Sequence, residues 1–274
     1  MAAGDLIVGP TYPQYEYNGF LFGSGTDILT EKVKGLLTNA ELKTTDEERA
    51  PGSGWGDFGG VQDYKARHIT FDLHVLAQSV VAMENYVEQI PGIFIARSIP
   101  IQFVWQRTGK TKRFYWAKPE KVDFDSDYDL AHLKWSGSIM LKCDDPRKYS
   151  LQEFIDALII PNGLTTIGGN VVNNGSTDAF PLLEILGPCT NPRVQNVQDS
   201  NHFLRANLTV AAGQTLMIDV KSQTLALNGV DYSNYLSNDS NWWFLKPGVN
   251  QLTYTRDDAG GPSTCNVHHQ DTWV

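Results

Sequence analysis

The sequence predicts a mainly β protein of two domains: an N-terminal antiparallel β domain with one packed helix, followed by a C-terminal β-sandwich. Two stretches, His68 to Leu76 and Ala131 to Cys143, alternate apolar and polar residues, the period-two pattern of half-buried strands. After Thr165, strands and turn signals recur about every ten residues without helical periodicity, as a sandwich requires. Between these regions lies Asp144-Asp145-Pro146-Arg147-Lys148-Tyr149-Ser150. Pro146 lacks an N–H and disfavours helix at Asp145, so the strand before it must stop there.

The elements follow in chain order. Residues 1–40 hold short strands around Phe20-Leu21-Phe22 and from Asp27 to Leu37, punctuated by glycines. Residues 43–62 turn polar and then glycine-rich, and a loop of that length in a compact domain is usually functional or disordered. Trp55 and Phe58 sit on it. They suit docking on a neighbouring subunit, or folding back on their own domain.

Within His68 to Leu76, Ile69, Phe71, Leu73 and Val75 share one face. A helix follows, with Leu76, Val80, Met83, Val87 and Ile90 on one stripe and Pro91-Gly92 as its stop. Strands Ile101 to Gln106 and Arg113 to Ala117 then flank a hairpin turn at Thr108-Gly109-Lys110. Gly109-Lys110-Thr111 has the ending of a phosphate loop, but Val104 stands where its first glycine belongs and a strand precedes it, so phosphate binding is not expected. Asp123, Asp125, Asp127 and Asp129 alternate, which puts four carboxylates on one side of an extended chain. Tyr128 replaces the turn glycine of an EF-hand loop and Lys134 its bidentate glutamate, so a solvated acidic edge is expected in place of calcium.

Beyond the seam, Ser150 to Leu158 reads as a short helix with Ser150 as N-cap and Glu153 in the capping-box position, broken by Pro161-Asn162-Gly163. The expected domains are therefore 1–149, a linker with a short helix at 150–162, and 163–274. In the last of these, strands are expected at Phe180 to Leu186, Leu204 to Val210, Leu216 to Val220, Leu225 to Leu227, Leu252 to Tyr254 and Thr264 to His269. Asn228-Gly229 suits a primed turn. Trp242-Trp243-Phe244-Leu245 is the heaviest apolar cluster; at least one tryptophan belongs in the core, and an exposed one could stack on a glycan.

No catalytic constellation is found, so no enzyme, cofactor or metal site is expected. Cys265, His268 and His269 have partial zinc spacing, but the alternation of their strand puts His268 opposite the other two. Cys143, Cys189 and Cys265 are too few and too widely spaced for a disulfide framework, which fits a reducing compartment. A net charge of −9, from 22 Lys+Arg against 31 Asp+Glu, disfavours specific nucleic-acid binding. The N-terminus lacks the pattern of a signal peptide, and no apolar run approaches the ~18 residues of a membrane span, so no membrane insertion is expected.

The second half resembles the siphophage distal tail protein family, also called the phage tail component family. The matching residues are Asn174-Gly175, Ala179-Phe180-Pro181, Gly187, Asn191-Pro192, Asn196, Gly213 to Asp219, Leu227-Asn228-Gly229, Ser240 with Trp242-Trp243, and Pro247-Gly248-Val249-Asn250. In the first domain the likeness rests on element order and on Asp145-Pro146. The resemblance implies a belt domain that forms a hexameric ring continuing the tail tube, and a galectin-like sandwich projecting from it. It implies a structural virion protein at the tail tip, made in the host cytoplasm. Its partners would be its own copies, the tail tube protein, the tape measure protein and tail-tip or receptor-binding proteins. A carbohydrate-binding module using Trp242 or Trp243 is the alternative. Two features depart from the family: His268 to Val274 lacks an Arg-aromatic ending, and the sandwich has no large insertion. If DNA passes through such a ring, Asp125 and Asp127 are candidates for its lumen, an outer solvated edge being the alternative.

Overall fold

The computed structural model describes residues 13–38, 41–43, 63–107 and 109–274. The chain is mainly β and divides into two compact units, Met1–Lys148 with Val274, and Tyr149–Trp273.

In the first unit the strands are β1 (Gln14–Tyr17), β2 (Phe20–Gly23), β3 (Ile28–Lys34), β4 (Arg67–Leu76), β5 (Ile101–Gln106), β6 (Arg113–Phe124) and β7 (Lys134–Cys143), with α1 (Val80–Ile93) between β4 and β5. They run side by side as β2-β1-β5-β6-β7-β4-β3. β6 is much longer than the sequence pattern suggests. Its first half, Arg113 to Ala117, pairs with β5, and its second, from Lys118 past a register shift at Pro119/Lys121, pairs with β7. Proline is tolerated in a strand at such an irregularity, where no ladder donor is needed. The inward rings pack edge to face, Tyr15 on Phe71 at 5.1 Å and Phe22 on Phe71 at 5.2 Å, the arrangement that aromatic quadrupoles favour.

Ser79 caps the helix, its Oγ accepting the Ala82 N–H at 3.2 Å, and the helix runs past the expected stop to Ile93. Pro91 stands in the last turn, where its missing N–H forfeits one helical bond, and the Phe94 N–H still reaches the Ile90 carbonyl at 3.2 Å. Met83 and Ile90 are buried while Val80 is exposed and Leu76 ends a strand, so the packed stripe is shorter than expected. Arg67 is buried at the end of β4, donating from Nε to the Pro146 carbonyl at 3.1 Å and from Nη1 to those of Gly35 and Thr38 at 2.7 and 2.6 Å. It thereby ties the Pro146 stop to the loop after β3.

The second unit is a sandwich. Its strands are β8 (Phe154–Ile160), β9 (Thr166–Asn173), β10 (Leu182–Leu186), β11 (Arg193–Asn196), β12 (Phe203–Arg205), β13 (Thr215–Asp219), β14 (Thr224–Leu227), β15 (Val230–Asp231), β16 (Gly248–Thr255) and β17 (Ser263–His269). One sheet is ordered β8-β17-β10-β13-β14-β15 and the other β9-β16-β11-β12. The core is one cluster in which Leu183, Ile185, Leu216, Ile218 and Val267 of the first sheet and Val171, Val194, Leu204, Leu252 and Tyr254 of the second are buried. Asn228 and Gly229 both have positive φ, 47° and 79°, as their primed turn requires.

The expected helix at Ser150 to Leu158 is incorrect. Residues 154–160 form strand β8, paired with β17 over seven residues from Phe154↔His269 to Ile160↔Ser263. Leu158 and Ile160 enter the sandwich core, and the Ser150 side chain, the expected N-cap, instead donates to the Gln152 carbonyl and accepts the Asp271 N–H. The segment expected as a linker is thus an edge of the second unit's own sheet. The acidic stretch is also not extended throughout: β6 ends at Phe124, and Asp127 and Asp129 accept backbone N–H groups of the turn, from Tyr128 and Ala131 at 2.8 and 2.9 Å.

Candidate functional site

Among the described residues no group of three or more His, Cys, Asp or Glu could hold a metal ion, and all three cysteines are free and buried. What the second unit does carry is a network of buried amides. Asn196 donates to the Phe244 carbonyl at 2.8 Å and to Asn250 Oδ1 at 3.2 Å; Asn250 in turn accepts the Lys246 N–H and donates to the Lys246 carbonyl, both at 2.8 Å. Asn173 donates to the carbonyls of Thr177 and Leu245 at 2.8 and 3.1 Å, and its Oδ1 accepts the Gly175 N–H at 2.9 Å. All three asparagines are fully buried. Each supplies both donors and an acceptor, which lets one side chain satisfy a bend on each side of it.

Asp199 accepts the Phe244 N–H at 2.8 Å, and Lys246 bridges Asp178 and Asp199 at 2.8 and 3.3 Å. A Cβ at Gly175 would lie 1.9 Å from the Thr272 carbonyl oxygen, so no side chain fits where these bends meet. Asn174-Gly175, Asn196 and Pro247 to Asn250, singled out in the sequence, therefore form a structural clasp.

The two tryptophans divide as their alternation implies. Trp243 is 0% exposed and donates from Nε1 to the Val194 carbonyl at 3.3 Å. Its ring has no free face, which removes it as a glycan contact. Trp242 is half-buried against the same core. A second buried anchor, Arg256, was not singled out in the sequence. Its guanidinium donates to the carbonyls of Leu164, Pro188, Gly260, Gly261 and Pro161.

On the outer face of the first sheet, Glu184 accepts from Asn266 at 2.8 Å and lies 3.4 Å from His268, whose other ring nitrogen is 3.5 Å from Glu153. The Asn266 hydrogen bond, reinforced by His268, holds the Glu184 carboxyl below its ordinary value. A carboxylate depressed in the folded state stabilises above its unfolded pKa, and that contribution is lost as pH falls through the folded value. Native protein is therefore expected to exceed Glu184→Gln in thermal stability at about pH 7, with the difference shrinking as pH falls below the ordinary glutamate value of about 4.3; a difference that stays constant on acidification would refute the linkage.

In the first unit, Asp125 and Asp127 are exposed, and Trp55 and Phe58 lie outside the described residues. A hollow of about 760 Å³ opens beside β3, lined by Pro13, Tyr15, Gly23, Leu29, Val33 and Leu37 among others, with Glu31 and Lys34 as its charged residues. Single exposed leucines carry no signal in sequence, so the hollow is visible only in the fold.

Residues 174–273 match the family model of the siphovirus-type tail component, C-terminal domain. No curated protein matches the chain. Among solved structures, the crystal structure of the SPP1 Dit (gp 19.1) protein, described as a paradigm of the hub adsorption apparatus in phages infecting Gram-positive bacteria, is 18% identical with a TM-score of 0.70, covering 96% of this chain and 99% of that one. A chain of the phage p2 baseplate in its activated conformation with Sr is 11% identical with a TM-score of 0.48, covering 92% of this chain and 100% of that one.

Proposed function

We propose that this chain is a structural virion protein, a distal tail protein whose copies close into a six-membered ring joining the tail tube to the tail tip. The match of residues 174–273 to a tail component domain carries the reading. The fold shared with the SPP1 hub protein over nearly the whole chain supports it. The family-matching residues hold bends together, which is the chemistry of an assembly part whose surfaces do the work. In this reading the tail tube protein and tape measure protein meet the first unit, and tail-tip or receptor-binding proteins meet the assembly below. Asp125 and Asp127 remain the candidates for a DNA-repelling lumen, and Trp55 and Phe58 for subunit docking.

A ring capping a tube needs repeated unlike contacts that close on themselves. Light scattering on concentrated protein is expected to find a species about six times the 30.5 kDa chain mass, and electron micrographs a ring with a central hole. A strict monomer at every concentration, absent also from purified virions, would overturn the reading.

A further inference from the structure

The first unit buries two cations side by side without an acid between them. Lys148 is only 8% exposed, and among the described residues its ammonium has neither a hydrogen-bond acceptor nor a carboxylate. Its Nζ is not among the atoms closed off from solvent, so a small solute can reach it. Arg67 lies beside it. The Arg67 Nε donates to the carbonyl of Pro146, two positions before Lys148, at 3.1 Å, and Nη1 donates to the Gly35 and Thr38 carbonyls. Nη2 is buried with no acceptor at all. The guanidinium carbon stands 5.3 Å from the centre of the Tyr115 ring, so an aromatic face and three neutral carbonyls surround this charge. The acids nearest in the chain are engaged elsewhere: Asp144 with Lys118 and Lys142 at 2.6 and 3.3 Å, and Asp145 with Arg147 at 2.8 and 2.9 Å. Burial, together with the charges of Arg67 and Arg113, pushes the Lys148 ammonium down to about 8. Burying a charge with no counter-ion is strongly unfavourable.

We propose that Lys148, with Arg67 beside it, binds a small oxyanion: a phosphate or carboxylate group seated on the Lys148 ammonium. One negative group there supplies the acceptor that Nζ lacks and offsets the repulsion between two neighbouring positive charges. Charged oxygen acceptors make the strongest hydrogen bonds with ammonium and guanidinium donors, which sets the ligand's class. Because so little of Lys148 is open, the ligand is one compact group and not the surface of a polyanion. The site belongs to the single chain and does not depend on the ring reading.

Lys148→Met keeps the length of the side chain and removes its charge, and it leaves Arg67 on its three carbonyls. At about pH 7, with sodium chloride of equal ionic strength as the reference, inorganic phosphate or acetate is expected to raise the melting temperature of the native protein by about 3 °C at saturation. The same additions should leave Lys148→Met unmoved, and Lys148→Arg should keep the response. In the reference buffer Lys148→Met is expected to be at least as stable as the native protein, because it removes a buried charge without a partner. A rise with either anion that is lost in Lys148→Met supports the site and shows which oxyanion it takes. No rise with either anion, or an equal rise in Lys148→Met, would overturn it. A methionine variant that melts well below the native protein in the reference buffer would overturn it too, since Lys148 would then already be satisfied within the fold.

Discussion

Arg256→Met is expected to lower the stability of the second unit by about 3–5 kcal/mol, among the largest effects of any single substitution in this chain. The guanidinium is buried and donates to five backbone carbonyls, those of Leu164, Pro188, Gly260, Gly261 and Pro161. These belong to three connections that meet beside the end of β16. Methionine fills similar volume but removes the guanidinium donors, leaving only the Pro161 carbonyl with another partner, the Leu164 N–H; each carbonyl that stays buried without a donor costs about 1–3 kcal/mol. Arg256→Lys should lose nearly as much, because a single ammonium cannot match the planar fork of donors. Urea unfolding followed by tryptophan fluorescence measures it, as a lower midpoint with unchanged slope. A loss under about 1 kcal/mol for the methionine variant would mean that water replaces the guanidinium at this junction.

Trp243→Ala is expected to cost about 3–5 kcal/mol, the range for removing a fully buried large aromatic side chain. The indole is fully buried among side chains of both sheets, and its N–H is bonded to the Val194 carbonyl. Alanine would leave a cavity and remove the indole hydrogen bond. Trp242→Ala, at a half-buried position, should cost no more than about 2 kcal/mol. The pair of variants distinguishes a packing role from a glycan platform. Loss of glycan binding in a folded Trp243→Ala protein would contradict the burial described above, whereas cooperative unfolding at a lower denaturant concentration is the outcome expected of a core residue.

The sequence by itself determined those features whose cause is local. His68 to Leu76 and most of Ala131 to Cys143 alternate because one face of each strand is buried, and that periodicity is written in neighbouring residues; Ala131 to Leu133 are a turn, so the second strand starts at Lys134, later than read. Asn228-Gly229 turns as read because both positions need positive φ. The alternation of β17, which separates His268 from Cys265 and His269, was legible for the same reason.

Tertiary structure alone decided where one local pattern fits two structures, or where partners lie far apart. Residues 150–158 satisfy a capping box and could be helical, yet in the fold the burial of Phe154 to Ile160 alternates as a strand's does. The seven-residue pairing with β17, more than 100 positions away, selected the strand. β6 changes partner midway from β5 to β7, and nothing in its own residues states which strand lies alongside. Ile95 and Ile99 are large and apolar yet exposed, because burial depends on what the rest of the chain brings over a position. Nothing in the sequence marks Arg256, and only the fold places five carbonyls around its guanidinium. Local sterics and periodicity select the element, but its neighbours are chosen by burial and hydrogen bonding summed over the whole domain.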